Sequence, residues 1–171
     1  ADAQILAEIA RANTLAENLK DCPDVNVDCD SIINELRSLR ARVPKQQAVA
    51  KQAAEFAEQK ANEEIIAAAP AQQASEALQQ KQNEVDALLT QLENEGDLKL
   101  LPQVTRLQQD EDAEWTNYYG AQTASEMAIL ANRFAQNDDI SQNSLLTIFE
   151  EMLVVWTLVG EYCGAADSSI D

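Results

Sequence analysis

Chain breakers are so scarce in this sequence that long helices are the main structures open to it. Four glycines and four prolines interrupt 171 residues, and the stretches between them are rich in Ala, Leu, Gln and Glu, which favour helix. Val, Ile, Thr and aromatic residues form no alternating runs, so no strand is expected. Apolar residues recur instead at three- and four-residue steps. The chain reads as all-α, an up-and-down helical bundle of about five to six helices in a single domain spanning 1–171. That length can bury a core unaided. No internal repeat long enough for a solenoid is found.

The first helix is expected from Asp2 to Lys20, with Leu6, Ile9, Ala12, Ala16 and Leu19 as its apolar stripe. A loop from Cys22 to Cys29 ends it. Asp30 or Ser31 can cap a second helix carrying Ile32, Leu36, Leu39 and Val43 and ending near Pro44. Between Pro44 and Asn83, 12 of 40 residues are Ala and 9 are Gln, a composition that makes helix but packs weakly. Pro70 is expected to break or kink this stretch, because proline removes one helical hydrogen bond and crowds the preceding turn. Ala71, Ala74, Leu78, Lys81, Val85, Leu88 and Leu92 then follow a coiled-coil spacing. A variant of the bundle has residues 44–94 standing out from it as an Ala/Gln-rich helical hairpin.

Glu95-Gly96-Asp97 is a turn, and Pro102 opens a helix of roughly thirty residues in which Gly120 is the weak point. Asn137-Asp138-Asp139 is read as a further turn. The last helix, from Ser141 or Ser144 to Cys163, is the most apolar. Leu146, Phe149, Met152, Leu153, Trp156, Val159 and Tyr162 form its main stripe, and Leu145, Ile148, Val154, Val155 and Leu158 widen it. Such a helix needs cover on most sides, from its own chain or a neighbour. Val155, Trp156 and Leu158 are the candidate interaction residues. A membrane span is disfavoured because Glu150, Glu151 and Glu161 fall within the window, each costing about 2.5 kcal/mol or more at mid-bilayer. Residues 164–171 are expected to fray.

The chain carries 30 acidic and 12 basic residues, a formal charge of −18. From Glu95 onward there are 14 acids against 3 bases, a net −11. Nucleic acid and anionic lipid bind through clustered Lys and Arg, so both are poor partners for this chain. Acidity serves either solubility or recognition of a basic partner.

Cysteine usage and the first residues point to one compartment. Two cysteines seven apart around a Pro/Asp/Asn loop predict a Cys22–Cys29 disulfide, leaving Cys163 free, and hence a secreted or periplasmic protein. The opening Ala-Asp-Ala-Gln, without Met, suits a mature N-terminus, although a trimmed chain would begin the same way.

The chain contains no histidine, which removes His-based triads, Glu-x-x-His metal sites and the usual zinc and haem ligation. Scattered glycines build no phosphate loop. Asp110, Glu111, Asp112 and Glu114 lie beside Trp115, Tyr118 and Tyr119. A glycosidase, however, needs two carboxyls about 5 to 10 Å apart across a cleft. Nearly consecutive acids on one helix instead make a solvated face. The oxygen-bearing residues Asp24, Asn26, Asp28, Asp30 and Glu35 match the ligand spacing of a Ca²⁺-binding loop, but Cys29 stands where the turn needs Gly. An Asp-rich capping loop is the competing reading.

No catalytic constellation emerges and no cofactor is called for, Ca²⁺ aside. The expected function is a non-catalytic extracytoplasmic structural or protein-interaction protein, a subunit or accessory factor of a larger assembly. It would act through protein partners or self-association. The alternative is a small helical binding module for an apolar ligand or Ca²⁺.

Overall fold

A computed structural model of the chain describes residues 2–21, 28–161 and 163, and no strand occurs among them. Three α-helices account for nearly all of these: α1 (Asp2–Asp21), α2 (Cys29–Glu95) and α3 (Leu101–Glu161). The five to six helices expected from the sequence are thus fewer and longer. Three expected interruptions are absent. Pro44 and Pro70 lie inside α2, and both are solvent-exposed. At an exposed position the carbonyl that loses its helical donor can turn to water, so the cost of proline does not end the helix. Asn137, Asp138 and Asp139 lie inside α3, where Asp138 and Asp139 accept hydrogen bonds from Gln142 and Asn143 one turn on. Side chains that could have capped a turn are thereby spent along the helix.

The expected turn after α2 is present. Gly96 has φ +63°, in the left-handed region, and its N–H bonds Leu92 O at 2.8 Å. The Asp97 side chain then accepts from Lys99 N and starts the 3₁₀ turn Leu98–Leu100. Pro102 falls in the first turn of α3, where no helical donor is lost.

The chain divides into two compact units. Unit 1, residues 1–55 and 137–171, is a three-helix arrangement of α1, the start of α2 and the end of α3. Its core joins Ile5 and Ala12 to Ile32, Leu36, Leu39 and Val43, and to Phe149, Met152, Trp156 and Val159. On α2 and α3 these positions alternate by threes and fours, the period of helices packed in register. The expected α1 stripe holds at Ile9 and Ala12, but at its start Ile5 is buried in place of Leu6, which is 57% exposed. Ala16 and Leu19 are outside the side chains described. Gln46 closes the core as a polar layer, donating to Gln142 O at 3.0 Å and Gln142 Oε1 at 2.9 Å. At Gly160 the helices approach closely, and an added Cβ would sit 2.6 Å from the Cδ1 of fully buried Leu36.

Unit 2, residues 56–136, is a helical hairpin closed by the Gly96 turn. Its second arm comes from α3, so the hairpin is not the 44–94 segment, which lies in one unbroken helix that includes Pro70. Ala57, Ala71, Leu78 and Val85 of α2 and Val104 and Ala135 of α3 are buried along the seam. Alanine lets the helices come close enough for side-chain amides to reach across. Gln122 and Gln136 donate to the Ala71 and Ala57 carbonyls at 3.3 and 3.2 Å, and Asn132 donates to Glu64. The seam is therefore small and polar, with little apolar area to stabilise it.

Candidate functional site

Of the residues singled out as a Ca²⁺ loop, the described ones, Asp28, Asp30 and Glu35, lie at and within the start of a helix. Cys29 begins α2, so Asp30 and Glu35 stand on consecutive helical turns and point to different sides. The sharp turn that such a loop needs at Cys29 is replaced by the first residue of a helix. Asp24 and Asn26 lie outside the described residues. Among the described residues no three Asp, Glu or Cys side chains converge. Asp28 is the helix cap: one carboxylate oxygen accepts from Ser31 N at 3.2 Å and the other from the Ser31 hydroxyl at 2.8 Å. The Asp-rich capping loop is the reading that fits this geometry.

Those bonds, the Ser31 hydroxyl first, hold the Asp28 carboxyl below the usual aspartate range. A depressed folded pKa contributes stability that is present above the unfolded value and lost as pH falls through the folded one. Wild-type stability should therefore decline more than that of Asp28→Asn between about pH 6 and about pH 3. Parallel urea midpoints for the two proteins across that range would remove the cap's contribution.

The cysteine pairing differs from expectation. Cys29 is joined to Cys163, with Cα atoms 5.6 Å apart, and not to Cys22, which lies outside the described residues. Within unit 1 the start of α2 and the end of α3 run side by side, bringing together two cysteines 134 residues apart. Sequence proximity favoured Cys22; helix pairing selects Cys163.

Of the three candidate interaction residues, Trp156 is 4% exposed and belongs to the core. Val155 is half-buried against that core, and Leu158 is 49% exposed. Val154, counted at sequence level only as extra width, is 69% exposed and is the most outward of the group. It separates two open apolar grooves. One, of about 410 Å³, is lined by Ile9, Val154 and Val155 with Glu150 and Glu151 at its rim. The other, of about 500 Å³, is lined by Leu153, Val154 and Leu158 with Arg40 and Glu161. Trp156, Asp28 and Glu35 also meet at a smaller polar cavity of about 260 Å³ with Arg11 and Ser31. One stretch of α3 is long and apolar enough to cross a bilayer, with a mean hydropathy of 1.3. Its buried positions include Phe149, Met152, Trp156 and Val159, the core residues of unit 1, and Glu150 and Glu151 are exposed beside them.

In unit 2 the acidic cluster spans no cleft. Asp110 to Glu114 follow one another along α3, and Trp115, Tyr118 and Tyr119 stack mainly on each other, with ring centroids 5.4 to 5.7 Å apart. Lys81 faces this cluster. A hydrogen bond to Glu84 at 3.1 Å, with added attraction from Asp110 and Glu114, raises its pKa and keeps the ammonium charged. The cluster thus balances a seam lysine. Sequence reading counted the large apolar residues of this hairpin along its helices but did not assign them to its outside. Phe134 is 74% exposed, and Ile65, Ile66, Met127 and Leu130 are also exposed. Their signal was available as apolar residues out of step with the heptad seam. No known protein family, curated protein or solved structure matches the chain.

Proposed function

We propose that the protein is a non-catalytic structural or interaction component, a subunit or accessory factor of a larger extracytoplasmic assembly. The observation that carries this reading is an inversion of the usual packing order. Alanine and polar groups fill the hairpin seam while Phe134, Ile65, Ile66, Met127 and Leu130 face outward. Large apolar side chains exposed in such number mark an interaction surface more often than an idle one. The grooves beside Val154 supply a second such surface. A Cys29–Cys163 bridge supports an oxidising compartment, where disulfides persist.

The native mass tests the reading, together with a pair of substitutions that separate folding from association. Leu158→Asp should fold with stability within about 1 kcal/mol of wild type, because its side chain is half in solvent. Val155→Asp should cost more, since it packs on the core. Light scattering of native material should give a particle larger than one chain, diminished by Leu158→Asp. A strictly monomeric protein that captures no partner would sink the proposal. The second reading, a binding module for an apolar ligand, is favoured by the groove of about 410 Å³ beside Ile9, and co-purification of such a ligand would support it. The geometry around Asp28 gives Ca²⁺ no comparable support.

A further inference from the structure

In unit 2, Tyr119, Thr123, Met127, Leu130 and Phe134 recur on α3 at steps of four, four, three and four, and all five are exposed. That spacing places them along one helix face. A face of the same period in unit 1, with Leu145, Ile148, Met152 and Val159, is covered by packing in the three-helix core. Among the described residues of unit 2 no third helix exists to cover its counterpart. The face therefore has the apolar pattern of a helix–helix contact and lacks the helix.

We propose that a second copy of this chain supplies it, with the two α3 segments antiparallel about a two-fold axis between Ala128 and Ile129. This rests on the interaction reading above and names its partner. Charge decides both the occupant and the direction. Glu126 and Arg133 border the stripe, are exposed, and take part in no ion pair among the described residues. Arg133 is the only basic residue from Leu107 to Asp171. When Met127 of one copy is layered on Leu130 of the other, Thr123 falls on Phe134, and the flanking positions that meet are Glu126 and Arg133. The two-fold makes this pair twice, as an isologous interface requires. Parallel pairing would set Glu126 against the uncharged Ala131, five positions on in the partner, and leave it without a cation. A basic partner helix would meet Arg133 on the flank of the stripe and be repelled there.

The contact is modest. In the layers that pair across the two-fold each copy contributes one aromatic ring, Phe134, of about 150 to 250 Å², and the smaller Thr123, Met127 and Leu130, so the total falls below the roughly 1,200 Å² of a stable interface. The dimer is accordingly weak and concentration-dependent.

Sedimentation velocity over a concentration series should show monomer and dimer in exchange. Glu126→Arg and Arg133→Glu, each placing like charges together twice, should raise Kd by about tenfold. The double variant Glu126→Arg/Arg133→Glu should restore it. Glu126 and Arg133 are both exposed, so these proteins should keep wild-type helical content. In a Cys22→Ser background, an equimolar mixture of Met127→Cys and Leu130→Cys proteins should form more disulfide dimer than either alone. Association that ignores both charge reversals and shows no preference in the mixture would overturn the dimer while leaving an interaction role standing. So would a monomeric wild type whose exposed face is instead occupied by phosphatidylcholine vesicles in co-sedimentation. A wild type that stays monomeric and binds neither would remove the interaction reading as well.

Discussion

Trp156→Ala is expected to destabilise the protein by about 3 to 5 kcal/mol, the cost of emptying a buried aromatic site. Trp156 is 4% exposed and sits among Ile32, Met152 and Val159, the part of the molecule where large apolar side chains meet. The rest of the chain has little to offset the loss, because the buried seam of unit 2 is mostly alanine and valine with one leucine. A urea titration of far-UV ellipticity reads the effect as a lowered midpoint at an unchanged slope. Trp115→Ala is the control: Trp115 is half-buried and stacks mainly on Tyr118 and Tyr119, so its loss should cost distinctly less. Equal and small shifts for both tryptophans would mean that Trp156 is not a core residue, returning it to the role of an interaction residue that the sequence had assigned to it.

That reassignment illustrates what could and could not be read before the fold was known. The apolar stripe of the last helix was legible because Phe149, Met152, Trp156 and Val159 obey the helical period, and these four are buried. Periodicity could not say which edge of a wide stripe lies inward. Trp156 lay in the main stripe and Leu158 in its widening, yet both were candidate interaction residues; one is in the core and the other half in solvent. The coiled-coil spacing from Ala71 to Leu92 was also legible, but its forerunner from Ile32 to Ala53 was masked. Pro44 stands in the middle of it, and proline's usual meaning overruled the period. Only burial distinguishes a proline on a solvated face, which a helix tolerates, from one that ends it. The Gly96 turn was safe because positive φ at a helix end is a local requirement. A bridge over 134 residues is not local and had no sequence signal beyond the third cysteine itself.

The bridge gives the largest expected change in stability. In the chain-entropy treatment, tying two residues 134 apart removes enough freedom from the unfolded chain to be worth roughly 5 kcal/mol, whereas a seven-residue closure is worth only about 2. Reduction should therefore lower stability by an amount that itself discriminates between the two pairings. Cys29→Ser and Cys163→Ser should each reproduce the loss, and adding reductant to either should lower stability no further. Cys22→Ser should leave the oxidised protein nearly unchanged. Non-reducing peptide mapping should recover the segments around Cys29 and Cys163 as one species. The effect should concentrate in unit 1, whose α2 start and α3 end the bridge joins, and amide exchange should quicken around Leu36 and Met152 on reduction. A reversed pattern, with Cys22→Ser costly and Cys163→Ser neutral, would place the bridge across the Cys22–Cys29 loop, and the unfolded chain would then be closed over seven residues instead of 134.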